Sequence, residues 1–356
     1  MRRISATQLI PGMITAEDIF SYNDQLLIPN GTVLTDSAIT ILEMYDIISI
    51  RIKDAPIVID EAILNDAYSE RIKNSSVFKK FKQEYDNEII NFRNSVQASL
   101  EKDFRLDTDA LLEGTLALLD NVHTALGVFD MLHCMREYDD STFAHCINVA
   151  LICNVTARWL SMSENEIRLA TSCGLFHDIG KLHVPKTILD KPAKLTTDEY
   201  DIIKQHPVSG YQLLRDQNVA MPICNSALMH HERCDGSGYP FRLKRAQIDR
   251  FAKLVAIVDV YDAMTAARVY RGPLCPFTVI ALFEQEGLQK YDPRYIMTFL
   301  ENVMNTYILN RCRLNDGREG TIVYINRDCL SRPTVQCDNE YVNLIETPEL
   351  FIESLL

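Results

Sequence analysis

Apolar positions change their period along this chain, and the changes divide it. Up to about residue 55, short apolar runs stop at turn residues: Leu9-Ile10 before Pro11-Gly12, Leu26-Leu27-Ile28 before Pro29-Asn30-Gly31, then Ile47 to Ile52. Runs of that length with such punctuation predict a small β-containing module, with one helix near Ser37 to Tyr45. From about Ile57 the sequence becomes charged and helix-favouring, and Phe78, Phe81, Tyr85, Ile89, Phe92, Val96 and Leu100 recur at intervals of three and four. The stripe fits a helix packed on its own domain, and it also fits the seam of a coiled-coil homodimer, where aromatic residues are unusual.

Leu111 to Val303 reads as nearly continuous amphipathic helix broken at Gly and Pro. Two helix starts are marked by capping-box spacing, Ser163 with Glu166 and Thr196 with Glu199. The first helix is expected to run toward His177-Asp178 and stop near Gly180. The second is expected to carry His206 at its end, because Pro207 follows. Beyond about Asn305 the strand pattern returns, in Thr321-Ile322-Val323-Tyr324-Ile325 and in Tyr341-Val342-Asn343-Leu344-Ile345. The fold expected is mainly α, a helical bundle with a small N-terminal β-containing module and a short C-terminal β appendage. The boundaries are 1–55 for the module, 56–110 for a helical connector, 111–305 for the bundle and 306–356 for the appendage.

Composition narrows the chemistry. With 356 residues, 47% hydrophobic and 24% charged, this is an ordinary globular composition with room for two or three domains. A net charge of -13 argues against sequence-independent binding to nucleic acid, which needs clustered Lys and Arg. Ten scattered cysteines without a CxxC pair read as reduced thiols. Neither a signal-type apolar run nor eighteen consecutive apolar residues occurs, so a cytoplasmic protein without a membrane span is expected.

Two clusters then stand out: His177-Asp178-Ile179-Gly180-Lys181, and His230-His231-Glu232-Arg233-Cys234-Asp235-Gly236-Ser237-Gly238-Tyr239-Pro240, with His206 between them. Adjacent His-Asp puts a neutral nitrogen donor beside an anionic oxygen donor, and the two oxygens of an Asp can bridge a metal pair. With Asp259, these residues point to a two-metal hydrolytic centre, provided the bundle brings distant helix ends together. A single His is more often structural, which is how His123 and His133 are read; the density of donors here favours metal.

These motifs, with Gln205-His206-Pro207, Asp259-Val260-Tyr261-Asp262-Ala263-Met264-Thr265, Tyr270-Arg271 and Tyr291-Asp292-Pro293, resemble the HD-GYP family of metal-dependent cyclic di-GMP phosphodiesterases. The resemblance covers roughly residues 135 to 305. It implies an HD-type helical bundle with His145, His177, Asp178, His206, His230, His231 and Asp259 as metal ligands, Asp178 bridging. The cofactor it implies is two divalent ions, Fe or Mn best suited to the mixed imidazole and carboxylate set. A third metal in some relatives uses a Glu where this chain has Ser141, with Asp140 or Asp262 as the nearest substitutes. Asp178 and Lys181 are the implied catalytic residues. Lys181, Arg268 and Arg271 are the implied contacts to substrate phosphate, the last two sharing a helix face.

Gly238, Tyr239 and Pro240 form an interaction loop that the resemblance links to diguanylate cyclase domains. Glu232 is expected to hold a neighbouring His. Arg242 and His183 depart from the family pattern, each standing where Gly is usual, and are expected to tune access or loop shape. The implied activity is hydrolysis of cyclic di-GMP to pGpG, and onward to GMP. Alternatives are hydrolysis of another cyclic dinucleotide or nucleotide, or a noncatalytic cyclic di-GMP-responsive scaffold.

Overall fold

A 23-residue helix, α1 (Ser76–Ala98), answers the question left by the aromatic stripe. Ser75 caps it by accepting from the Phe78 amide. Phe78, Phe81, Tyr85, Ile89, Phe92 and Val96 are buried in the same core as the bundle helices, whereas Leu100 stays half exposed. The Tyr85 hydroxyl reaches Asn148 Oδ1 at 2.5 Å and the Ala144 carbonyl at 3.1 Å. The stripe is therefore consumed within the chain and is not free to act as a coiled-coil seam.

The structure, a computed structural model, describes residues 72–100, 105–122, 125–135, 142–189, 191, 195–266, 274–308, 310–338 and 340–356, with parts of 2–53. After α1 come α2 (Thr108–Ala117), α3 (Ala125–Met135), α4 (Thr142–Trp159) and α5 (Glu164–Phe176). They are followed by α6 (Thr197–Ile203), α7 (His206–Asp216), α8 (Met221–Met229), α9 (Arg250–Thr265), α10 (Pro276–Leu282) and α11 (Pro293–Thr306). α4 is apolar nearly all round and is buried from Cys146 to Ala157, as a central helix must be. α5, α9 and α11 pack around it and share its core.

Both capping boxes form: Glu166 accepts from the Ser163 amide at 2.9 Å and Glu199 from the Thr196 amide at 2.7 Å. His206 differs from expectation. α6 ends at Ile203, and His206 opens α7 with Pro207 in its first turn, where a missing N–H costs nothing.

At the N-terminus, β1 (Arg2–Ser5) pairs antiparallel with β4 (Ser49–Ile52), and β2 (Ile19–Phe20) with β3 (Leu26–Ile28). Their apolar residues form a cluster separate from the bundle core. Apart from Leu42, the helix expected near 37–45 lies outside the described residues. At the C-terminus, β5 (Arg311–Leu314), β6 (Glu319–Tyr324), β7 (Thr334–Cys337), β8 (Glu340–Asn343) and β9 (Ile352–Leu355) form one antiparallel sheet in the order β8-β7-β6-β5-β9. The sheet's inward residues Cys312, Leu314, Ile322 and Val335 extend the bundle core. No helix among the described residues is long and apolar enough to cross a membrane.

Candidate metal centre

The bundle gathers its donors from helix ends. His145 comes from the first turn of α4, and His177 caps the C-terminus of α5 with Asp178 next to it. Lys181 lies on the 3-10 turn Ile179–His183, and His206 opens α7. His230 caps α8 with His231 following, and Asp259 and Asp262 stand one turn apart on α9. Gly180 makes the assembly possible: a Cβ there would lie 1.9 Å from the His206 carbonyl oxygen, so only glycine lets this turn meet the start of α7.

Three imidazoles are aimed by their own helix ends. Nδ1 of His177 donates to the Gly174 carbonyl at 2.6 Å and Nδ1 of His206 to the Ile203 carbonyl at 2.7 Å. Nδ1 of His230 donates to the carbonyls of Ser226 and Ala227 at 3.1 and 3.0 Å. Carbonyls in the last turns of the helices thus set the tautomer, and each Nε2 is left as an acceptor facing the centre.

The donors fall into two groups around Asp178. Asp178, His206, His230 and His231 offer ligand atoms all within 4.8 Å of one another, and so do His145, His177 and Asp259. Oδ1 of Asp178 stands 3.2 Å from His206 Nε2 and 3.6 Å from His230 Nε2. Its Oδ2 stands 3.4 Å from His177 Nε2 and 3.8 Å from His145 Nε2, and it also accepts from the Lys181 ammonium. One carboxylate therefore turns a different oxygen to each group.

This donor set fits divalent cations. Among the described residues, Nε2 of His177 and Oδ1 of Asp178 are buried without a hydrogen-bond partner. Nε2 of His206 and of His230 approach to 3.3 Å although each Nδ1 already donates to backbone, so two lone pairs face each other and call for a shared cation. Burial pulls the His230 pKa down to about 4 and holds His231 well below the usual histidine range, which keeps both rings neutral, as ligands must be.

Asp178 and Asp259 stay ionised. Burial opposes this, but for Asp178 the Lys181 charge wins, and for Asp259 the hydrogen bond and charge of His145 win. His145 takes the opposite course to His230. Burial would lower its pKa, yet Asp259, 3.0 Å from Nε2, and Asp262, 2.8 Å from Nδ1, outweigh burial and raise it to about 9. The Lys181 ammonium is likewise kept charged, its burial outweighed by Asp178.

Residues 131–295 match the family model for the HD domain. This segment is an HD domain of the HD-GYP type. A Pseudomonas aeruginosa protein named cyclic di-GMP phosphodiesterase is 35% identical over 57% of this chain and 49% of its own. The cyclic di-GMP phosphodiesterase response regulator RpfG of Xanthomonas campestris pv. campestris is 39% identical over 46% of this chain and 44% of its own. A Vibrio cholerae protein named 3'3'-cGAMP-specific phosphodiesterase 1 is 40% identical over 48% of this chain and 39% of its own. The chain thus spans about half or less of the length of these relatives. A solved HDG"Y"P protein from Bdellovibrio bacteriovorus shares the fold, with a TM-score of 0.53 and 14% identity over 85% of this chain and 99% of that one.

The loop that gives HD-GYP domains their name closes one side of the centre. Tyr239 stacks on His231 with ring centroids 4.6 Å apart and 22° between planes, and burial pushes its phenol pKa up. Gly238 is required by contact: a Cβ would sit 2.4 Å from the Arg233 amide nitrogen. Glu232 does not hold a histidine. Its two oxygens accept from the amides of Phe241 and Leu243 at 2.7 and 2.8 Å, so the buried carboxylate ties down the loop's return. Arg242 has φ of 57°, a left-handed backbone that glycine adopts without strain, which accounts physically for glycine being usual there. His183 is exposed at the end of the Lys181 turn.

Two contributors were not assigned these roles from sequence. Asp262 fixes the His145 ring, and only its spacing of three from Asp259 hinted at a shared face. Arg233 donates to the His230 and Glu232 carbonyls at 3.1 and 2.9 Å and lies over the Tyr291 ring, bracing the His230-His231 turn. Arg268, Arg271, Asp140 and Ser141 lie outside the described residues; α9 itself ends at Thr265, and Ala266 is extended.

Proposed function

We propose that this HD-GYP domain is a metal-dependent phosphodiesterase that hydrolyses cyclic di-GMP to pGpG, and onward to GMP. The observation that carries the reading is Asp178 dividing its oxygens between two donor groups. That arrangement suits a pair of cations acting together on one phosphodiester. The names of the relatives supply the substrate class. In this reading His145, His177 and Asp259 hold one ion, His206, His230 and His231 the other, and Asp178 joins them. Fe or Mn suits the mixed nitrogen and oxygen donors. When bound, such ions acidify water for attack and neutralise phosphoryl charge.

The residues of the chain do the rest. Lys181, charged and beside Asp178, donates a hydrogen bond to a nonbridging phosphate oxygen or to the leaving ribose oxygen. Arg268 and Arg271 contact substrate phosphate through their forked donors. Tyr239 braces His231 and, with Gly238 and Pro240, presents the loop to a diguanylate cyclase domain. The protein acts in the cytoplasm, and the unit carrying the chemistry spans 111–305.

A panel of cyclic dinucleotides offered to anaerobically metal-loaded protein tests this reading. Cleavage of cyclic di-GMP by the wild type, lost in Asp178→Ala, is the expected result. Cleavage of another cyclic dinucleotide in its place would favour the second reading, to which the 40% identity with a 3'3'-cGAMP-specific enzyme lends weight. Binding of cyclic di-GMP without turnover would favour a scaffold.

A further inference from the structure

A pocket of about 320 Å³ opens beside the donor cluster. The last two turns of α1 and the residues just after it form one wall, with Phe92, Val96, Gln97 and Leu100. The first turn of α4, with Phe143, and the Lys181 turn, with Leu182, form the others. At its inner end the pocket reaches Asp178 and Lys181, the residues at the junction of the two donor groups. The lining is otherwise mainly apolar and aromatic. Phe92 meets Phe143 edge to face with centroids 5.9 Å apart, and the Arg93 guanidinium lies 5.5 Å from the Phe143 centroid.

We propose that this pocket is the subsite for one purine base of the substrate, and that α1, which lies outside the matched HD segment, completes it. The inference rests on the nucleotide reading of the metal centre. Three features argue for a base rather than loose packing. First, the volume is at the small end of the range for ligand sites, enough for one planar ring system and too small for a whole cyclic dinucleotide. Second, a phosphate held beside Asp178 and Lys181 places its own nucleoside next to this pocket, because the pocket and the centre share those two residues. Third, α1 is seated tightly where no ligand is needed. Phe81 and Tyr85 are fully buried, and the Tyr85 hydroxyl is fixed on α4, so the pocket is confined to the helix's last two turns. The partly exposed Phe143 ring can receive a base on its π-face, backed by the buried Phe92, and Gln97 and Thr142 at the polar rim can read the base edge.

The test compares 5'-GMP with ribose 5-phosphate, which carries the same phosphate and no base, by equilibrium binding to the metal-loaded full chain. Leu100→Trp and Gln97→Trp fill the mouth from exposed positions and leave the core untouched. The expected result is that 5'-GMP binds the wild type at least about tenfold tighter than ribose 5-phosphate, and that both variants erase this difference without changing ribose 5-phosphate binding or metal content. The KM for cyclic di-GMP should rise by a similar factor. Equal binding of the two probes to the wild type, or full retention of 5'-GMP binding in both variants, would overturn the subsite. Failure of the wild type to cleave any cyclic dinucleotide would overturn the proposed activity instead, and the two probes would still decide the subsite.

Discussion

The two donor groups that meet at Asp178 are built on different principles. On one side His206, His230 and His231 are nitrogen donors, and two of them are locked by carbonyls at helix ends. Burial keeps His230 and His231 neutral. On the other side His145 is held between Asp259 and Asp262 and carries a proton where a cation would otherwise balance the carboxylates. On the proposed reading, the contrast teaches that one half would accept a metal at neutral pH without releasing a proton, whereas the other would exchange a proton for it. Asp178 serves both, so the halves differ in assembly yet share one fate.

The severest way to break the contrast is to remove the shared residue. Asp178→Ala should empty both halves together and lower turnover by about a thousandfold or more, read from metal content and product release. Loss from one half only would show that the halves are independent. Asp262→Asn is the sharper probe, because it touches one half alone. Weakening the acceptor on His145 should cost about 10–100-fold in metal affinity on the acidic side and leave the nitrogen-rich side unchanged, as competitive metal titration would reveal.

The pH dependence separates the halves next. His145 must lose its proton to bind a cation through Nε2, so metal affinity on its side should climb about tenfold per pH unit up to about 9. His230, with its pKa near 4, imposes no such slope above pH 5. The same shift governs the metal-free protein. A folded-state value near 9 against an ordinary 6.5 means that the stabilisation is complete below 6.5 and is lost as pH rises through 9. Thermal unfolding of metal-free protein should therefore begin at lower temperature at pH 9.5 than at pH 6. A midpoint that is flat or rising over that interval would remove His145 from this role.

The convergence of these donors could be anticipated from the chain because most lie in adjacent pairs at helix ends, where Gly180 and Pro207 mark the punctuation. What could not be read was partnership. His145 and Asp262 are 117 residues apart, and only the packing of α4 against α9 joins them. His206 was expected at the end of one helix and opens the next, since proline marks a boundary without saying on which side its neighbour falls. Glu232 was expected to serve a histidine, yet two loop amides claim it, a contact set by the return of the chain at Phe241 and Leu243.

In the fold, the long α1 stripe announced a buried face. The strands β5, β7 and β9, each four residues long, were not singled out in the sequence; Arg311-Cys312-Arg313-Leu314 offers only two inward positions.

The smallest effect concerns the loop beside the nitrogen-rich half. Arg242→Gly relieves a left-handed backbone and should raise stability by up to about 1 kcal/mol in denaturant unfolding, with both metal affinities unchanged. A change in either affinity would mean that the loop sets the donors as well as covering them.

The most direct test of the central claim is anomalous diffraction from crystals grown anaerobically with manganese. The account predicts two peaks, one among His206, His230 and His231 and one among His145, His177 and Asp259, about 3.5–4 Å apart and each in contact with a different oxygen of Asp178. A single peak, or two peaks that Asp178 does not join, would contradict it.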